Sequence, residues 1–153
     1  MSDEISGPEF TGETALEAAP WEIKLSFGLW LAEAILSIIG GILMIGGAAL
    51  VAAVAGVDGD AAVATVAVFI VVGVLIVLLG VFRIIASVFM LRGRVWARNT
   101  LTILAVLGAL GLYLEFQSNV GVAVAHALFI VVAVITMYLP NSNAYFRRPF
   151  PAE

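Results

Sequence analysis

Residues 62–91 read AVATVAVFIVVGVLIVLLGVFRIIASVFML, and Arg83 is the one charged side chain in the run. As an α-helix it extends about 45 Å at 1.5 Å per residue. Bilayer hydrocarbon is only about 30 Å thick. A segment apolar on every face has no surface to offer water, so it is read as a transmembrane helix. Three further runs flank it, at about Lys24–Val54, Arg98–Phe116 and Gly121–Leu139. The first is also longer than the bilayer needs, which implies tilt or projection at one end. Pro20 suits a helix start. Trp21 and Trp30 stand where interfacial indoles belong, and Pro140 ends the fourth run.

The connections are short. Ala55 to Ala61 form a turn around Gly56-Val57-Asp58-Gly59-Asp60. Arg92-Gly93-Arg94-Val95-Trp96-Ala97-Arg98 form a basic link, and Gln117-Ser118-Asn119-Val120 a tight polar turn. Short links make antiparallel neighbours. The expected fold is an all-α membrane protein, a four-transmembrane-helix antiparallel bundle. Residues 1–20 form a disordered acidic tail, 21–139 the transmembrane domain, and 140–153 an aromatic and basic tail. No strong internal repeat and no strict heptad is apparent, which leaves the packing order open.

Composition agrees. The 153-residue chain is 63% hydrophobic and 12% charged, with a mean hydropathy of +1.14. Soluble domains run at about half apolar and a quarter charged. The net charge of −4 is uneven, because Asp3, Glu4, Glu9, Glu13, Glu17 and Glu22 all precede the first apolar run. It therefore gives no reason to expect a nucleic-acid partner. The acidic start and the length of the first run argue for a retained helix over a cleaved signal. Lys24, Arg92, Arg94, Arg98, Arg147 and Arg148 all fall on one side of a four-span chain. By the positive-inside rule that side is cytoplasmic, with both termini in. The expected location is a bacterial inner membrane, crossed several times.

Without Cys there are no disulfides or thiolate ligands. No P-loop, dinucleotide fingerprint, HExxH or GxSxG occurs, and a single His argues against zinc or haem. Neither an enzyme activity nor a cofactor is expected. Asp58 and Asp60 supply too few ligands for calcium and read as a solvated turn.

The residues at odds with lipid are few. Glu33 lies about nine residues into the first span, and Arg83 about eight residues before the end of the second. Opposite charges at matched depth are expected to pair inside the bundle, since each costs about 2.5–3.5 kcal/mol at mid-membrane. Ser37, Gly40 and Gly41 follow Glu33 at helical spacing, and Gly80 and Ser87 flank Arg83. Small residues let helix backbones approach. The plain reading of the pair is a fixed helix register. The sharper reading is a site for a proton or charged solute, and a third is Arg83 snorkelling to headgroups. The third turn is short enough for Glu115 and His126 to approach as an outer-side polar pair, which is either pH-responsive or a plain histidine hydrogen-bonded within the bundle or wetted at the interface. Gly108 and Gly111 share the Glu115 face as a packing stripe. Arg92, Arg94, Arg98, Arg147 and Arg148 are expected to contact anionic lipid, and Tyr145, Phe146 and Phe150 to anchor the tail at the interface.

Three junctions carry a resemblance. They are Lys24-Leu25-Ser26-Phe27-Gly28-Leu29-Trp30-Leu31-Ala32-Glu33-Ala34, then Arg92-Gly93-Arg94-Val95-Trp96-Ala97-Arg98 with Leu101-Thr102, then Tyr138-Leu139-Pro140-Asn141-Ser142-Asn143-Ala144-Tyr145-Phe146. Together they resemble the small four-helix membrane proteins of actinobacteria, a family of hypothetical proteins. The resemblance covers about residues 20–148. It implies topology and carries no site. The expected role is an accessory, scaffold or regulatory protein acting through helix contacts with lipid, other membrane proteins or itself. The alternative is an oligomeric channel or carrier of a small solute or proton that uses Glu33 and Arg83.

Overall fold

A computed structural model describes residues 19–147, which form five helices. They are α1 (Trp21–Val54), α2 (Gly59–Leu91), α3 (Val95–Ser118), α4 (Val120–Tyr138) and α5 (Pro140–Phe146). No strand occurs among the described residues. The first four are long and apolar enough to cross a membrane. Their outward faces are apolar: Leu43, Leu50, Val63 and Leu110 are each more than two-thirds exposed. Water would not tolerate so continuous an apolar surface; lipid does. All of the expected tail to residue 18, with Arg148 and Phe150, lies outside the described residues.

The helix ends explain why the spans outrun the hydropathy. Pro20 is extended (φ −63°, ψ 155°), and its carbonyl accepts from the N–H groups of Ile23 and Lys24. The first helix therefore starts at Trp21 and carries Glu22 into its first turn, where the helix dipole favours an acid. α1 and α2 end in the same way. Gly56 (φ 65°) and Gly93 (φ 74°) take the left-handed conformation. The N–H groups of Val57 and Arg94 then reach back to the carbonyls of Ala52 and Phe89. This is the Schellman closure, and it favours glycine because a Cβ strains that backbone. The basic link shrinks accordingly to Arg92–Arg94, and Arg98 becomes helical. Asn119 alone joins α3 to α4. It is extended, and its side-chain oxygen accepts from the N–H of Val122 at 3.1 Å.

α1 packs on α2 and α4, and α3 on α2 and α4, which closes a four-helix ring. The α1–α2 seam is the most extensive. It is lined at every seventh position by small buried residues: Ala34, Gly41 and Ala48 on α1, and Gly73, Gly80 and Ser87 on α2. A Cβ on Gly73 would stand 2.8 Å from the carbonyl oxygen of Gly41, and one on Gly41 would stand 2.8 Å from that of Gly73. Backbone meets backbone there. A heptad thus exists on this seam, where the sequence suggested none, and it is written in small residues. Gly40 and Gly111, expected in packing stripes, have open space where a Cβ would go.

At the end of the ring that carries Arg92, the interior is filled by Ile23, Trp30, Met90, Leu101 and Met137, all fully buried. Ser26 is buried among them and donates to the carbonyl of Ala133 at 2.8 Å. α5 closes this end from beneath. Ser142 donates to the carbonyl of Thr136 at 2.7 Å, and Tyr145 to that of Leu91 at 2.7 Å. Asn141 donates to Glu22 at 2.7 Å. The tail expected after residue 140 therefore begins as a packed helix. Phe146 is buried within it, where the sequence suggested an interfacial anchor.

Gly73→Ala is expected to destabilise the protein in detergent by roughly 1–3 kcal/mol, the usual cost of overpacking. Gly46→Ala has open space and should leave the thermal midpoint unchanged or slightly raised. Equal behaviour of the two variants would contradict a seam set by backbone contact.

Candidate functional site

Each transmembrane helix contributes one ionisable side chain to a single internal network. Arg83 of α2 donates through Nη1 to Oε2 of Glu33 on α1, forming an ion pair. Oε1 of Glu33 lies 3.3 Å from Nε2 of His126 on α4. Nδ1 of the same imidazole lies 2.9 Å from Oε2 and 3.1 Å from Oε1 of Glu115 on α3. The sequence brought the four forward as two separate pairs, and the structure joins them through His126.

Helix length supplies the reason. Counted from the start of its helix, His126 lies early in its span and so appeared remote from Glu33. α4, however, has only 19 residues. His126 is thirteenth from Tyr138, as Glu33 is thirteenth from Trp21, so each lies about 18 Å from that end of its helix. Glu115 reaches the imidazole because Asn119 is the whole connection. Glu115 sits one turn before it and His126 two turns after it, on facing sides.

Smaller groups support the buried end. Ser37, one turn beyond Glu33, donates to Glu33 Oε1 at 3.4 Å and receives Arg83 Nη1 at 3.4 Å. The Arg83 guanidinium lies 5.7 Å from the centre of the Trp30 ring, within cation–π range. Arg83 Nε and Trp30 Nε1 are buried without hydrogen-bond partners among the described residues. Exposure grades along the network: side chains are 10% exposed at Glu33, 12% at Arg83, 26% at His126 and 37% at Glu115. The network is thus sealed at the ion pair and open at Glu115.

Charge and hydrogen-bond counting constrain its chemistry. Glu33 and Glu115 each carry −1 when ionised and Arg83 carries +1, so the set is neutral when His126 carries one further positive charge. Both ring nitrogens face carboxylate oxygens, so each contact needs a hydrogen. Three groups therefore share two protons when both contacts are made. Among the described residues no group of three or more His, Asp or Glu side chains is arranged to hold a metal ion.

Of the arginines expected at anionic lipid, Arg92, Arg94 and Arg147 are exposed near the α5 end. Arg98 is half-buried. It donates to Asn143 at 2.7 Å and lies 4.8 Å from the ring centres of both Tyr138 and Phe146. Its guanidinium thus fastens α5 to α3. Glu22 joins that closure, though the sequence grouped it with the tail acids; one of its oxygens is buried without a partner. Asp58 and Asp60 stand at the opposite end, where Asp58 precedes α2.

No family model, curated protein or solved structure matches the chain.

Glu33→Ala should destabilise by about 3–5 kcal/mol, because it strands Arg83 in the interior. Adding Arg83→Ala should recover a large part of that loss. Additive losses in a thermal-unfolding cycle would contradict direct coupling.

Proposed function

We propose that this chain is a small accessory or regulatory protein of a bacterial plasma membrane, acting through the arrangement of its helices and their contacts with other membrane components. It belongs, on this reading, with the small four-helix proteins of actinobacteria that its junctions resemble. The observation that carries the proposal is that all four spans are tied to one polar network, buried at Glu33 and Arg83. Helix arrangement and network state then depend on each other, while the lateral surface presented to neighbours is apolar. The side-chain-filled layer of Ile23, Trp30, Met90, Leu101 and Met137 favours this reading over a channel or carrier, because it blocks the path beyond Glu33.

The bundle is antiparallel with both termini cytoplasmic. Ser26 pairs with Met90, Glu33 with Arg83 and Gly41 with Gly73, so partner numbers fall on α2 as they rise on α1. The pairs Ser26–Ala133 and Glu33–His126 give α4 the same opposite sense to α1. On that register α4 runs out near Gly40. The farther parts of α1 and α2 then continue as a two-helix extension. Arg92, Arg94, Arg98 and Arg147 collect at one end and Asp58 and Asp60 at the other, as the positive-inside rule requires of a cytoplasmic and an outer face.

The absence of native Cys makes orientation testable with single substitutions. In intact cells a membrane-impermeant maleimide should label Asp58→Cys and spare Arg147→Cys; the reverse pattern overturns the orientation. Crosslinking in native membranes with mass spectrometry should join the chain to another membrane protein or to a second copy. A chain that stays single there, and after mild extraction, would count against the accessory role.

A further inference from the structure

We infer that Glu115, His126 and Glu33 form a proton relay that carries a proton from the open end of the network to the α1–α2 ion pair. The inference stands on the geometry of the network and does not depend on the accessory role. His126 is the chain's single histidine, and both of its ring nitrogens are engaged by carboxylates from different helices. The groups facing it are Glu33 from α1, with Arg83 of α2 behind that carboxylate, and Glu115 from α3. α5 packs on α1 and α4 by way of the other end of the bundle.

An imidazole in this position accepts a proton on one nitrogen and releases another from the opposite nitrogen. The starting state has both carboxylates ionised and the imidazole neutral, with Nε2–H donating to Glu33 Oε1 (3.3 Å). Glu115, the most exposed member, takes a proton from water and passes it to Nδ1 across 2.9 Å. The ring, now an imidazolium, lies between two carboxylates. The Nε2 proton then moves to Glu33. One proton has gone from water to Glu33, the imidazole is neutral again with its hydrogen on Nδ1, and no other bond has changed. The four-residue set passes from a net charge of −1 to zero.

The consequence falls on the α1–α2 seam. A neutral Glu33 no longer balances Arg83, whose remaining neighbours are the Ser37 hydroxyl at 3.4 Å and the Trp30 ring. Burial makes that loss significant, since an uncompensated charge in the interior is costly. Beyond Glu33 the filled layer stops the proton, so the relay delivers to the ion pair and does not conduct through the bundle.

The test is infrared difference spectroscopy of the full chain in lipid nanodiscs, stepped between about pH 4 and 9, the range that brackets ordinary carboxyl and imidazole titration. The protonated-carboxyl absorption that grows on acidification should include a component that is lost in Glu33→Gln and whose midpoint changes in Glu115→Gln by about one pH unit or more, as coupled sites do. In a His126→Gln background, Glu115→Gln should leave the Glu33 band where it was. Failure of Glu33→Gln to remove any component of that absorption, or an equal Glu115 effect with and without the imidazole, would overturn the relay. Nitrogen NMR of the wild-type imidazole guards against variants that fail to fold. Both ring nitrogens should respond in the same pH range as the Glu33 band, and a response of Nδ1 alone would also overturn the relay.

Discussion

The organisation of this protein depends on the burial of the Glu33 carboxylate between two partners from other helices, the Arg83 guanidinium and the His126 imidazole. An ionised carboxylate in the interior of an apolar bundle is not tolerable alone. Its partners must arrive at one depth, and they come from different helices. That requirement fixes the axial position of α2 and α4 against α1. It draws in α3 as well, because the other side of the imidazole meets Glu115, which is held one turn from the Asn119 joint.

The seam beneath the ion pair is compatible with this and depends on close approach. Gly41, Gly73 and Gly80 bring α1 and α2 into backbone contact, which shortens the gap that the Arg83 and Glu33 side chains must bridge. In lipid, helix association gains little from the hydrophobic effect and relies on packing and polar contacts. The two devices therefore act together: small residues set the distance, and the charge pair sets the register. At the Arg92 end, α5 supplies a third tie. Asn141, Asn143 and Tyr145 engage groups on α1, α3 and α2 respectively.

The asymmetry of the network gives it direction. Glu115 is over a third exposed, whereas Glu33 is about nine-tenths buried. A layer of large apolar side chains closes the far side. The network is thus accessible at one end and closed at the other.

Much of this was legible in the residues. Runs as apolar as 62–91 dictate membrane-spanning helices, because no soluble packing hides such surface. Arg83 and Glu33 stood out because charge is scarce in such runs, and the glycines of α1 and α2 marked their faces. The small-residue heptad was also written in the sequence, at Ala34, Gly41 and Ala48 and at Gly73, Gly80 and Ser87. It went unread because the seam is built from small residues and not from the large apolar ones of a soluble coiled coil. Local chemistry likewise determined where helices stop, since Gly56, Gly93, Asn119 and Pro140 act within a few residues of themselves. Only the tertiary structure decided that His126 meets Glu33 as well as Glu115, and that Arg98 and Phe146 close the bundle end. Those contacts depend on the relative lengths and offsets of helices far apart in the chain. Hydropathy is blind to offset, because every apolar residue along a span looks alike to it.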